Sequence, residues 1–144
     1  MCGICCVFSS GLSKTELRAR MIACSSKLRH RGPDWSGYMT HNQHAIAHER
    51  LAIIDPESGA QPLKSSDGNI VVAVNGEIYN YREVYASLDK PYEPITGSDC
   101  EVMIPLFQQV RNCFTRKPLD MLTFIRSPKL TFLLFFFHSY VSVH

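Results

Sequence analysis

A chain of 144 residues, 45% hydrophobic and 19% charged, is sized for one domain with a packed core, which excludes disorder along its whole length. Its net charge of +2 comes from Lys and Arg spread along the sequence, which argues against a dedicated nucleic-acid surface. The six cysteines, at 2, 5, 6, 24, 100 and 113, do not space like a secreted disulfide scaffold, and no secretory leader is visible, so free thiols in a reducing, cytoplasmic setting are expected.

The opening MCGICCVF (1–8) is an apolar run that reads as a buried strand. Ser13 and Glu16 then form an S-x-x-E capping box, in which each residue satisfies a backbone N–H the other leaves exposed. Leu17, Met21, Ala23, Cys24 and Leu28 give the helix an apolar face, and it should stop near His30, because Gly32-Pro33 cannot continue it. Residues 37–40, 45–48 and 51–54 look like short strands, with 56–62 a loop. His41, His44 and His48 carry no matching Cys or acid pattern, so they read as surface histidines, and no metal site is expected. Residues 70–74 are strongly β-prone and end at Asn75-Gly76. A short helix over 81–88 should start after Asn80 as its N-cap. Ser98 and Glu101 make a second S-x-x-E box, opening a helix to about Gln109 that Pro105 should kink or end early. From Val110 the sequence becomes basic and aperiodic, then apolar. The run LTFLLFFFHSYVSVH (130–144) is broken by His138 and Ser139 and is too short for a membrane-crossing helix.

Five motifs carry chemistry. Cys2 directly follows Met1; removal of Met1 would leave an α-amine, with a reference pKa of roughly 8, able to act as base for the thiol of its own residue. The plainer reading is a buried strand cysteine. RHRGPDWSG (29–37) is a helix exit with turn chemistry. In HERLAIID (48–55), Arg50 is suited to gripping a planar carboxylate, or is simply a surface Arg at a strand edge. In VNGEIYN (74–80), Asn-Gly is either a hairpin turn or a pair of donors, the Asn75 amide and the Gly76 N–H, forming an oxyanion hole. In GSDCE (97–101), Asp99 is either a helix-dipole partner or, with Glu77, the acid that holds a substrate ammonium.

Taken in order, MCGI, RHRGPDWSG, AHERLAIIDPESGAQPL, VNGEIYN and TGSDCE resemble the N-terminal glutaminase domain of the glutamine-hydrolysing asparagine synthetases, across residues 1–109. The resemblance implies an α+β, four-layer αββα N-terminal-nucleophile sandwich that hydrolyses glutamine to supply ammonia for asparagine synthesis from aspartate. It makes Cys2 the nucleophile and Asn75 and Gly76 the oxyanion hole. Arg50, Glu77 and Asp99 would bind glutamine, with Leu51, Ala52, Ile53 and Ile54 lining the pocket and the 31–33 loop ordering over it.

After residue 109 the family pattern is lost, and LDML (119–122) is a faint echo of its next strand. Residues 110–144 therefore read as a divergent tail, and the sandwich as incomplete and poorly stable. No SGGxDS-type pyrophosphate loop is present, so the synthetase domain, with its ATP and Mg2+, is expected to be absent and this chain to need no cofactor. The alternative is a truncated, non-catalytic isoform that binds glutamine or a full-length subunit. Homodimerisation stays open; neither nucleic acid nor membrane is an expected partner.

Overall fold

The computed structural model describes residues 2–8, 10–52, 57, 59–110, 122–127 and 130–136. In chain order the elements are strand β1 (Gly3–Val7), helix α1 (Lys14–Ser26), strands β2 (Trp35–His41), β3 (His44–Arg50), β4 (Leu63–Lys64) and β5 (Ile70–Asn75), helices α2 (Tyr81–Ala86) and α3 (Met103–Val110), and strands β6 (Leu122–Ser127) and β7 (Leu130–Phe136). Short 3-10 turns occupy Arg29–Arg31 and Asp99–Val102. This is an α+β mixture of two sheets, ordered β1-β3-β2 and β4-β5-β7-β6.

Strand alternation explains how these elements pack, because successive side chains point to opposite faces. In β3, Ala45 and Ala47 meet Leu17 and Met21 of α1, along with Cys5, Val7 and Tyr38. Ile46 points the other way, into a cluster with Val71 and Ala73 of β5 and with Ile4, Cys6 and Phe8. The opposite face of β5, carrying Ile70, Val72 and Val74, packs with Val84 of α2 and with Val102, Met103, Ile104 and Phe107. Buried on both faces, β5 reads as one continuous apolar run.

The capping box at Ser13 and Glu16 forms as its sequence dictates. Elsewhere several expectations are corrected. Helix α1 ends at Ser26, short of His30, and a 3-10 turn follows. Ala23 and Cys24 are exposed, while Ser25 is buried in their place. Positions 17, 21 and 25 recur every fourth residue and so share one face; 23 falls off it, and 24 lies at its exposed edge. Leu51 and Ala52 are not in a strand, and residues 53 and 54 lie outside the described residues. Asn75-Gly76 is not a hairpin turn. β5 pairs antiparallel with β4 and parallel with β7, whose Phe136 stands opposite Asn75. Asn80 precedes α2 but makes no side-chain capping bond.

The second S-x-x-E is not a capping box either. Ser98 makes no side-chain cap. Buried Glu101 instead accepts hydrogen bonds from the backbone N–H of Ile95 and Thr96, each at 2.7 Å, and from the hydroxyls of Thr96 and Tyr92. A carboxylate taken out of water needs several donors, and the loop ahead of the helix supplies them. Pro105 does not end α3, because it sits in the first turn, where a missing N–H costs little. His48, read as a surface residue, is fully buried between the sheets, where Nε2 meets the Val74 carbonyl oxygen at 3.1 Å. Among the described residues, no helix is long and apolar enough to cross a membrane.

Candidate active site

Cys2 precedes β1 on the same alternation as Ile4 and Cys6, the two that face the second sheet. Asn75 ends β5 on the alternation of Val71 and Ala73, which face the first sheet. The two residues therefore meet from opposite sheets. The Cys2 nitrogen donates to Asn75 Oδ1 at 2.8 Å. With Oδ1 engaged in this way, the Asn75 amide has its Nδ2 hydrogens left to offer a ligand.

The Cys2 sulfur is held on a second side. The Leu51 N–H donates to Sγ at 3.4 Å, and Sγ in turn faces the Leu51 carbonyl oxygen at 3.8 Å. Arg31 Nε donates to the Cys2 carbonyl oxygen at 3.2 Å, which fixes the backbone that carries the thiol. Arg31 comes from RHRGPDWSG, and its motif does more than turn the chain. Asp34 Oδ2 accepts from the Ala52 N–H at 2.9 Å, and the Asp34 N–H donates to the Arg50 carbonyl oxygen at 3.1 Å. One side chain and its own amide thus clip the segment from 50 to 52. Gly32 packs so closely on β3 that an added Cβ would lie 2.1 Å from the Glu49 carbonyl oxygen, a contact only glycine avoids.

Arg50 is buried at the end of β3, so it is not the exposed strand-edge residue of the plainer reading. The register Gly3↔Glu49, carried one step further, sets Cys2 opposite Arg50. Beside it, Glu49 is buried and accepts from the Ser25 and Ser36 hydroxyls, and Arg29 reaches the Ser36 hydroxyl at 2.7 Å. This network ties α1 and β2 to the end of β3.

On the other flank, Gly76 is exposed and its carbonyl oxygen faces the buried Cys100 thiol at 3.6 Å. Burial pushes the Cys100 thiol well above its ordinary range, as does the Asp99 charge, so it stays protonated. The Ile78 N–H donates to Asp99 Oδ2 at 2.6 Å, which brings Asp99 back beside the Asn75–Glu77 segment. Burial raises the Asp99 pKa; the Ile78 hydrogen bond opposes that and the nearby Glu77 charge adds to it. Burial likewise lowers the His48 pKa to about 4, so the imidazole is neutral near pH 7.

The structure therefore gathers Cys2, Leu51, Ala52 and Asn75, reaches Gly76 and Glu77 along the chain, and brings Asp99 in through Ile78. Asp34 and Glu49 were not among the residues singled out; Arg31 was expected only within the loop over the pocket, and His48 only as a surface histidine. The alternation of β3 could have found His48 and Glu49, since a strand buried on both faces must bury its polar positions as well.

A thiol that accepts from a backbone N–H, beside an asparagine amide with donors to offer, is an arrangement suited to nucleophilic acyl transfer. The model of the glutamine amidotransferase domain matches residues 1–125, and the chain belongs to that family. Its relatives narrow the class. The chain is 48% identical to the glutamine-hydrolysing asparagine synthetase of Zea mays over 125 residues, which cover 87% of this chain and 21% of that protein. It is 49% identical to asparagine synthetase 1 of Arabidopsis thaliana over 109 residues, 76% of this chain and 18% of the relative. With the probable asparagine synthetase of Schizosaccharomyces pombe the identity is 47% over 109 residues, 76% of this chain and 20% of the relative. The chain spans about a fifth of the length of these curated relatives, and its resemblance is to their N-terminal part.

Proposed function

We propose that this chain is the glutamine-hydrolysing part of an asparagine synthetase, with Cys2 as nucleophile once Met1 is removed. The observation that carries the proposal is the bond from the Cys2 nitrogen to Asn75 Oδ1, made while the Leu51 N–H points at the sulfur. A free amine at that nitrogen takes the thiol proton, and Asn75 keeps its position. Sγ then attacks the side-chain amide carbon of glutamine, and the Asn75 amide and Gly76 N–H stabilise the developing oxyanion. The C–N bond breaks, ammonia leaves with the proton, and a γ-glutamyl thioester remains. Water hydrolyses it to glutamate and restores the thiol. Arg50 takes the glutamine carboxylate and Asp99, with Glu77, its ammonium, while residues 51–54 line the pocket.

These steps need neither ATP nor Mg2+, which in this reading serve the activation of aspartate in the synthetase part. The three core clusters support a four-layer αββα arrangement: α1 on the first sheet, the sheets face to face, and α2 and α3 on the second. Residues 1–109 carry the amidotransferase site and 110–144 form a divergent continuation, in a cytosolic protein.

An electrophilic glutamine analogue carrying a diazoketone tests the site. The proposal expects one adduct on the peptide starting at Cys2, suppressed by glutamine and abolished in Cys2→Ala. Labelling spread over several cysteines and indifferent to glutamine would contradict it.

A further inference from the structure

We propose that Cys5 and Cys24 form a dithiol that peroxide converts to a disulfide, stapling β1 to α1. Two observations and the ideal strand and helix geometry place them together. Gly3 lies against the end of the helix, where an added Cβ would sit 2.7 Å from Leu28 Cβ. Two residues along a strand advance ~6.8 Å and four along a helix ~6 Å, so the step from Gly3 to Cys5 matches the step back from Leu28 to Cys24. Finally, Cys5 packs beneath α1 with Leu17 and Met21, and Cys24 of that helix is close enough to raise the pKa of the Cys5 thiol.

Alternation separates Cys5 from its neighbours. Cys5 packs in the cluster of Leu17 and Met21 beneath α1, whereas Cys6 packs in the cluster between the sheets with Ile46. Cys2 shares the Cys6 face and is bound to Asn75. Of the thiols near β1, only Cys5 points at the helix. Both partners are free cysteines, Cys24 exposed and Cys5 half-buried.

That difference orders the reaction. Burial, with the adjacent Cys24, raises the Cys5 pKa and keeps its thiol protonated and slow. Exposed Cys24 meets the oxidant first. Its sulfur displaces water from hydrogen peroxide and becomes a sulfenic acid. Cys5 Sγ then attacks that sulfur, the S–O bond breaks, and the hydroxyl leaves with the Cys5 proton as a second water. The two sulfurs lose two electrons in total and peroxide gains them. Two equivalents of a reducing thiol restore the pair.

The test is peptide mapping of the full chain after equimolar hydrogen peroxide, without reduction. Trypsin separates residues 1–14 from residues 21–27. The proposal expects these two peptides joined, lighter than their sum by two hydrogen atoms, and parted by dithiothreitol. The link is lost in Cys24→Ser, at an exposed position, and in both Cys5→Ser and Cys5→Ala, and it persists in Cys6→Ser and Cys2→Ala. A link that survives both Cys5 variants, or wild-type Cys24 found only as sulfinic or sulfonic acid, overturns it.

Discussion

Cys2 and Asn75 are separated by 73 residues yet joined by a 2.8 Å hydrogen bond across two sheets. One side of the Asn75 amide holds the Cys2 nitrogen, and in the proposed mechanism the other is left for a developing oxyanion. The two roles separate by substitution. Asn75→Asp keeps an acceptor for the Cys2 nitrogen and loses the donor. The turnover of glutamine should fall by roughly 10²–10³, as for loss of one oxyanion donor, with KM little changed. Asn75→Ala loses both roles and should be lower still in steady-state kinetics.

Asp34 bridges to Ala52 and Arg50 without touching Cys2. Asp34→Ala leaves the Ala52 N–H without its partner and frees the segment that carries Leu51. Loss of about 1–2 kcal/mol of positioning predicts a roughly ten-fold drop in kcat/KM for glutamine, expressed mainly in KM. Asp34→Asn, which keeps an acceptor oxygen, should recover much of that drop.

His48 makes stability depend on pH. Its pKa is lowered from 6.5 to about 4 by burial, so the folded state binds the proton less well than the unfolded chain. The stabilisation is fully present above the unfolded value and is lost as pH falls from about 6.5 toward 4. Across that window the loss reaches on the order of 3 kcal/mol, from about 1.4 kcal/mol per pH unit. Urea midpoints measured between pH 7 and pH 4.5 should fall in wild type and fall less steeply in His48→Gln, whose amide can still donate to Val74.

Glu101 gathers Tyr92, Ile95 and Thr96 into one carboxylate. Glu101→Ala takes the shared acceptor from two loop N–H groups and two hydroxyls that are only partly open to water. It should cost on the order of 3 kcal/mol in chemical denaturation, with Glu101→Gln intermediate.

Much of the scaffold was legible because local signals and burial agreed. Ser13 and Glu16 cap α1 as their spacing requires, and the apolar run from Ile70 becomes a doubly buried strand. Cys2, Asn75 and Leu51 were legible as a set only through the ordered motifs, since no spacing reveals that residues 2, 51 and 75 meet. Where the reading failed, tertiary demand had overridden a local rule. Ser98 and Glu101 have capping-box spacing, but Glu101 is buried and its oxygens are claimed by the preceding loop. His48 looks polar enough for the surface, yet β3 runs between α1 and the second sheet and has no exposed face to give it. Arg31 and Asp34 read as turn chemistry because their partners, Cys2 and Ala52, are remote in sequence.

The most direct test of the central claim is glutamate release from glutamine by the chain with Met1 removed, set beside Cys2→Ala and beside the same chain with Met1 retained. The account predicts steady release from the processed chain alone and none above background from the other two. Equal release from all three, or none from processed protein that is folded by circular dichroism, would contradict it.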